Sequence, residues 1–173
     1  MVKKYLVPDW YFDDVYFITP EFLSANGIKA LICDIDNTLE PYEEPVPTKR
    51  LLNWIRDLDS NGIKFAFVSN NNSERVELFN RELGYFAKAD SGKPSTKALK
   101  AAVAHMNVPK ENTVMLGDQV FTDVFAGKRM GLRAILVKPI RDKKTLFFRF
   151  KRWLEIPVLK KYARIHKNDK SGK

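Results

Sequence analysis

One cysteine in 173 residues excludes an internal disulfide and any cysteine-rich zinc site. The two histidines, His105 and His166, have no partner at ligand spacing, which argues against a histidine-held metal. No stretch approaches the roughly 18 apolar residues that a membrane span needs. Lys3 and Lys4 could open a signal peptide, but Asp9, Asp13 and Asp14 interrupt any apolar run behind them. A cytoplasmic, reducing setting is therefore the expectation, with a chain long enough for one domain and its own core. Acidic residues are scarce at one end only. Residues 138–173 hold 13 Lys/Arg against Asp142, Glu155 and Asp169, a balance of +10, while residues 1–137 balance at −1. The formal charge of +9 thus belongs to the tail and says little about the main body. Repeats and low-complexity segments are absent.

What is present centres on residues 29–39, Lys-Ala-Leu-Ile-Cys-Asp-Ile-Asp-Asn-Thr-Leu. The run opens as a short apolar strand of the kind buried on both faces. It then delivers Asp34 and Asp36 where that strand would end. Buried charge is costly unless paired or bound to a metal, so two such carboxylates suggest a cation site, a phosphate-handling site, or both. Taken alone, the pair could equally start a turn.

The remaining chain supplies context. Pro41, Pro45 and Pro47 keep the next segment non-helical, and Thr48 can cap a helix to about Asn61 with Gly62 as its stop. Residues 64–69 read as a strand ending in the polar run Ser69-Asn70-Asn71-Asn72. Ser73 is expected to cap a helix ended by Gly84, and residues 85–89 form a short third strand. Gly92-Lys93-Pro94-Ser95 turns into a helix carrying Leu99, Ala102, Val103 and Met106. Residues 113–116 make a fourth strand, followed at once by Gly117-Asp118 and by Asp123; a helix to Met130 and a strand over 133–137 complete the pattern. Strands alternating with helices predict right-handed crossovers and an α/β fold with a parallel sheet of five strands. Every polar cluster falls at a strand's C-terminal end, the edge where open α/β sheets bind ligands. Singly, Ser69-Asn70 could be a capping turn, Lys93 a solvated lysine and Gly117-Asp118 a turn; Cys33 reads as core. Together they offer a nucleophile, an acid/base, hydroxyl and amide donors, a fixed cation and acidic ligands, the inventory of phosphoryl transfer.

The order and spacing of these four segments, over residues 30 to about 137, resemble the haloacid dehalogenase (HAD) superfamily of phosphatases. That resemblance implies a Rossmann-like three-layer α/β/α core. It implies Asp34 as the nucleophile forming an aspartyl-phosphate, and Asp36 as the acid/base, a role an asparagine could not fill. Ser69, the Asn70 amide and Lys93 would hold the phosphoryl oxygens. Mg²⁺ would be the cofactor, held by Asp34, the Asp36 backbone carbonyl and Asp118. Asp123 would bind through water or pair with Lys93, and Thr38 would anchor the first loop. About 30 residues separate Asp36 from Ser69, and fewer separate Ser69 from Lys93. Neither gap holds a cap domain, so the site is expected to be open; the zinc loop of some uncapped relatives is excluded by the single cysteine.

More narrowly, Asp-Ile-Asp-Asn-Thr-Leu with Val-Ser-Asn-Asn and Gly-Lys-Pro resembles the bacterial YqeG-type family, which is similar to the mitochondrial phosphatidylglycerophosphate phosphatases. Membership implies hydrolysis of phosphatidylglycerophosphate to phosphatidylglycerol, an anionic phospholipid substrate at a membrane surface. Two alternatives stand beside it. One is an uncapped phosphatase for a soluble or nucleic-acid phosphate; the other is an inactive scaffold binding RNA through the basic tail. The expected division is an aromatic arm over 1–28, a phosphatase core over 29–140, a basic amphipathic segment over 141–167 and a disordered tail over 168–173. The arm packs its rings on the domain, flaps beside the site or touches lipid. In residues 143–155, Leu146, Phe147, Phe150, Trp153 and Leu154 form one side among cations, which suits the final helix of the core, a peripheral contact with an anionic membrane, or a polyanion. Oligomeric state is not legible.

Overall fold

In the computed structural model, which describes residues 4–141 and 146–166 (the side chains of 146–152 excepted), six parallel strands form one sheet. The strands are β1 (Trp10–Phe12), β2 (Ala30–Cys33), β3 (Lys64–Val68), β4 (Phe86–Lys88), β5 (Thr113–Gly117) and β6 (Arg133–Val137). Their spatial order is β1-β6-β5-β2-β3-β4. Five were expected from the sequence. The sixth, β1, comes from the aromatic arm and pairs Trp10 with Ile135 and Phe12 with Val137. Three residues flanked by aspartates carry no readable periodicity; register here is fixed by tertiary pairing, with Asp9 accepting from the Ala134 amide at 2.7 Å and from Lys128 at 2.9 Å.

The helices are α1 (Pro20–Ala25), α2 (Lys49–Ser60), α3 (Ser73–Asn80), α4 (Lys97–Met106), α5 (Phe125–Met130) and α6 (Leu146–Ile165). Alternation along each strand divides the core. Leu31 and Cys33 of β2 face the layer of Leu51, Ile55 and Phe79, whereas Ala30 and Ile32 face Leu99, Ala102 and Met130. The small residues at Ala30, Ala66 and Ala102 let α4 lie close on the second face, while phenylalanines and Trp54 fill the first. The arm packs on the domain: Trp10 and Phe12 both meet Phe22 edge-on, and Trp54 donates to the Ile18 carbonyl at 2.9 Å.

Three boundaries differ from expectation. Asn72, not Ser73, caps α3, accepting from the Arg75 amide at 3.0 Å; an amide oxygen one residue earlier reaches the third helical N–H. The same helix stops at Asn80, whose side chain turns to bond Tyr85, so Gly84 lies in the turn beyond it. Finally, α6 runs through Pro157 to Ile165 instead of ending near Glu155. Val158 and Leu159 pack beside Val120, Val124, Ala134 and Leu136, and the Tyr162 hydroxyl accepts from the Tyr11 amide at 3.1 Å. Tertiary packing thus carries the helix past a residue that opposes it. Of the expected apolar side, Trp153 and Leu154 are exposed, while the side chains of Leu146, Phe147 and Phe150 and the tail over 168–173 lie outside the described residues.

Candidate active site

The chain runs from β2 to β3 and β4 on one side of the sheet, then returns to β5 and β6 on the other. Strand order therefore reverses between β2 and β5, and their C-terminal ends open a crevice. Asp34 and Asp36 follow β2, Ser69 follows β3, and Asp118 follows β5. Lys93 comes in from the loop before α4. All four predicted segments meet there.

At the centre, Lys93 Nζ lies 2.6 Å from Asp34 Oδ1 and 2.8 Å from Asp123 Oδ1, and donates to the Val68 carbonyl at 2.7 Å. The ammonium is almost wholly buried. Burial opposes its charge, yet Asp123 and Asp34 outweigh that and raise its pKa above the ordinary lysine value. Asp34 is buried too, and burial pushes its carboxyl up to about 6, with Lys93 opposing the rise and Asp123 adding to it. Thr38 donates to Asp34 Oδ2 at 2.9 Å, which ties the first loop to the Asp34 carboxylate. Asn37, between them, adopts φ of +65°, a left-handed conformation that asparagine tolerates.

Carboxylate oxygens of Asp34, Asp118 and Asp123 lie within 4.8 Å of one another, all buried. Asp123 Oδ1 has the Lys93 ammonium beside it at 2.8 Å. Three converging carboxylates are a set of hard oxygen donors that fits a divalent cation. Gly117 explains how Asp123 gets so close: a Cβ on Gly117 would overlap the Asp123 side chain. Asp123 sits on a single π-helical turn, Val120–Val124, and also accepts from the Gln119 amide at 3.1 Å.

The Asp36 carboxylate stands outside that cluster. It accepts from Arg75 Nε at 3.1 Å, Asn71 Nδ2 at 3.0 Å and Ser69 Oγ at 3.3 Å. The Asn70 side chain braces the lysine's loop: its oxygen accepts from Ser91 and from the Lys93 amide at 2.7 and 2.8 Å. A solvent-open hollow of about 250 Å³ lies over these groups, lined also by Tyr42, Asn71, Gln119, Thr122 and Asp123. Burial raises the Tyr42 pKa, reinforced by Asp34, Asp36, Asp118 and Asp123, so its hydroxyl stays a neutral donor.

Arg75, Asn71 and Tyr42 were not singled out from the sequence. Asn71 was visible inside a polar run, but Arg75 looks like any arginine on a helix, and Tyr42 sits in a proline-rich loop without periodicity.

A family model described as HAD-hydrolase-like matches residues 91–142. Over 159 residues the chain is 40% identical to YqeG of Bacillus subtilis, described as a probable phosphatase, covering 92% of each chain. The chain belongs to the HAD superfamily, in the family of YqeG. It is a phosphatase of that superfamily. Similarity extends to the chloroplastic and mitochondrial phosphatidylglycerophosphate phosphatase 1 of Arabidopsis thaliana, 24% identical over 94% of this chain and 49% of that one. The fold matches that of the cobalt-bound deoxy-D-mannose-octulosonate 8-phosphate phosphatase of Haemophilus influenzae, with a TM-score of 0.53 at 15% identity, over 80% of this chain and 91% of that one.

Proposed function

We propose that this HAD phosphatase removes the terminal phosphate of phosphatidylglycerophosphate at a membrane surface, working through an aspartyl-phosphate on Asp34. The observation that carries the chemistry is the buried Asp34–Lys93–Asp123 ion group facing an open hollow at the strand-order switch. Asp34 attacks phosphorus, the ester P–O bond breaks, and the departing alkoxide oxygen takes a proton from Asp36. Asp36, now a carboxylate, removes a proton from water as that water attacks the acyl-phosphate; phosphate leaves and Asp34 is regenerated. Lys93, Ser69 and the Asn70 amide bind the phosphoryl oxygens, while Thr38 orients Asp34. Asp34, Asp118 and the Asp36 carbonyl would hold Mg²⁺, with Asp123 beside them. Bound there, Mg²⁺ supplies positive charge against the repulsion between a carboxylate nucleophile and an anionic phosphate.

Three features support the lipid. Among the described residues no cap domain covers the hollow, so a headgroup still rooted in a bilayer can reach it. The exposed face of α6 presents Trp153, Leu154 and Ile156, and its last turns carry Lys160, Lys161 and Arg164, which suits anionic headgroups. The similarity to the Arabidopsis enzyme points to the same headgroup. No helix among the described residues is long and apolar enough to cross a membrane, so contact would be peripheral.

The test is phosphate release with Mg²⁺ from phosphatidylglycerophosphate in mixed micelles, from glycerol 3-phosphate, and from an end-phosphorylated oligonucleotide. Preference for the lipid, abolished by Asp34→Asn, is the expected result. Good turnover of the soluble esters with the lipid left intact would overturn the lipid assignment and favour a soluble or nucleic-acid substrate.

A further inference from the structure

Asp36 is buried, and the stretch from the end of β3 into α3 aims three donors at its carboxylate: Ser69 and Asn71 of the loop, and Arg75 of the first turn of α3. Arg75 supplies the charged one. Its guanidinium is itself held, with Nη1 donating to the Pro45 carbonyl at 2.9 Å and the charged carbon 5.6 Å from the centre of the Phe79 ring. The amide of Arg75 is fixed in turn by the Asn72 cap. A planar fork anchored at one nitrogen and presenting another sets the direction as well as the position of a carboxylate. Arg75 is buried behind Asp36 and does not line the hollow.

From this geometry we infer that Arg75 is the positioning residue of the acid/base: it holds Asp36 clear of the Asp34–Asp118–Asp123 cluster and orients its carboxyl toward the leaving oxygen. The inference rests on the phosphatase reading and deepens it. It assigns Arg75 no contact with phosphate, which separates it from Lys93. Without Arg75 the Asp36 side chain is free to turn toward the cation site, and the departing oxygen loses its proton donor.

An acid matters most where the leaving group is poor. Alkyl esters depart as strongly basic oxygens, whereas 4-nitrophenolate leaves without help. The experiment therefore compares kcat/KM for glycerol 3-phosphate and for 4-nitrophenyl phosphate, a quantity that reads only as far as leaving-group departure. Positioned acid catalysis contributes about 10²–10⁴-fold. Arg75→Met should thus lower kcat/KM for the alkyl ester at least about tenfold more than for the aryl ester, and Arg75→Lys should recover only part of the loss. In an Asp36→Asn background, Arg75→Met should cost less than about twofold on 4-nitrophenyl phosphate, because there is no longer an acid to orient. Should Arg75→Met fold poorly by circular dichroism, Asn71→Ala removes a second donor to the same carboxylate from a half-buried site, and the same ester preference should appear in weaker form. Equal losses on the two esters, or a further large loss in the Asp36→Asn background, would overturn the positioning role while leaving the phosphatase reading intact. A wild-type protein that releases phosphate from neither ester, nor from phosphatidylglycerophosphate in micelles, overturns both.

Discussion

Among the described residues Lys93 is the single positive charge within ion-pair distance of both Asp34 and Asp123, and all three side chains are buried. Removing it leaves two buried carboxylates without compensation, a change that costs about 3–5 kcal/mol in comparable sites. Lys93→Met should therefore destabilise the metal-free protein by that order in urea unfolding and abolish phosphate release. Because its pKa is raised, Lys93 contributes this stability at every pH below the ordinary lysine range. Asp34 has the opposite consequence. A carboxyl raised to about 6 is ionised at the fold's expense, so its contribution is full below the unfolded value of about 4 and is lost as pH rises through about 6. Mg²⁺ should accordingly raise the thermal midpoint more at about pH 7.5 than at about pH 5. As the proposed nucleophile, Asp34 must also be ionised, so the acid limb of kcat/KM should lie near pH 6 at low Mg²⁺ and move lower as Mg²⁺ saturates. A limb that ignores Mg²⁺ would mean that Asp34 is not the group titrating. At this scale the sequence was informative where residue type and strand end coincide, as with Asp34, Ser69 and Asp118, and where Gly92-Lys93-Pro94 marks a turn. It was silent on Arg75, because a partner 39 residues away across a strand leaves no local trace.

The π-turn after β5 is where the site's construction depends on elements rather than on single groups. Its first amide, Val120 N–H, donates to Glu155 Oε1 of α6 at 3.0 Å, and Glu155 is 3% exposed. The C-terminal helix thus fastens the segment that carries Asp123, and it does so through a buried carboxylate that the sequence offered only as one acid in a basic tail. Glu155→Ala should cost about 1–3 kcal/mol, the penalty of stranding a buried N–H, and should weaken Mg²⁺ affinity measured by calorimetry. Unchanged Mg²⁺ affinity would confine Glu155 to holding the helix. Gly117→Ala, at the strand's last residue, should be worse for metal binding than for overall folding, since the added methyl meets the Asp123 side chain itself. The strands β2, β3, β5 and β6 were legible because both faces are buried and the runs are largely apolar. Neither β1 nor the far half of α6 could be read, because one is three residues long and the other contains Pro157; only packing against β6 and the π-turn makes them regular.

For the whole molecule, placement of the open hollow and of α6 is what supports the proposed lipid substrate. A cation-rich helix with exposed Trp153 and Ile156 is suited to an anionic interface, where attraction falls with ionic strength. The protein should sediment with phosphatidylglycerol vesicles at low salt, less so at about 0.5 M salt, and hardly with phosphatidylcholine alone; Trp153→Ser should weaken the association. Equal binding to both lipids would deny the helix an electrostatic role. The central proposal beneath all of this is a covalent bond between phosphate and Asp34. Acid quench of the protein during turnover, followed by borohydride reduction and peptide mass spectrometry, detects that bond as homoserine at position 34. Homoserine should appear there in the wild type and not in Asp34→Asn; steady turnover with an unmodified Asp34, or with the label on another residue, would rule the covalent route out.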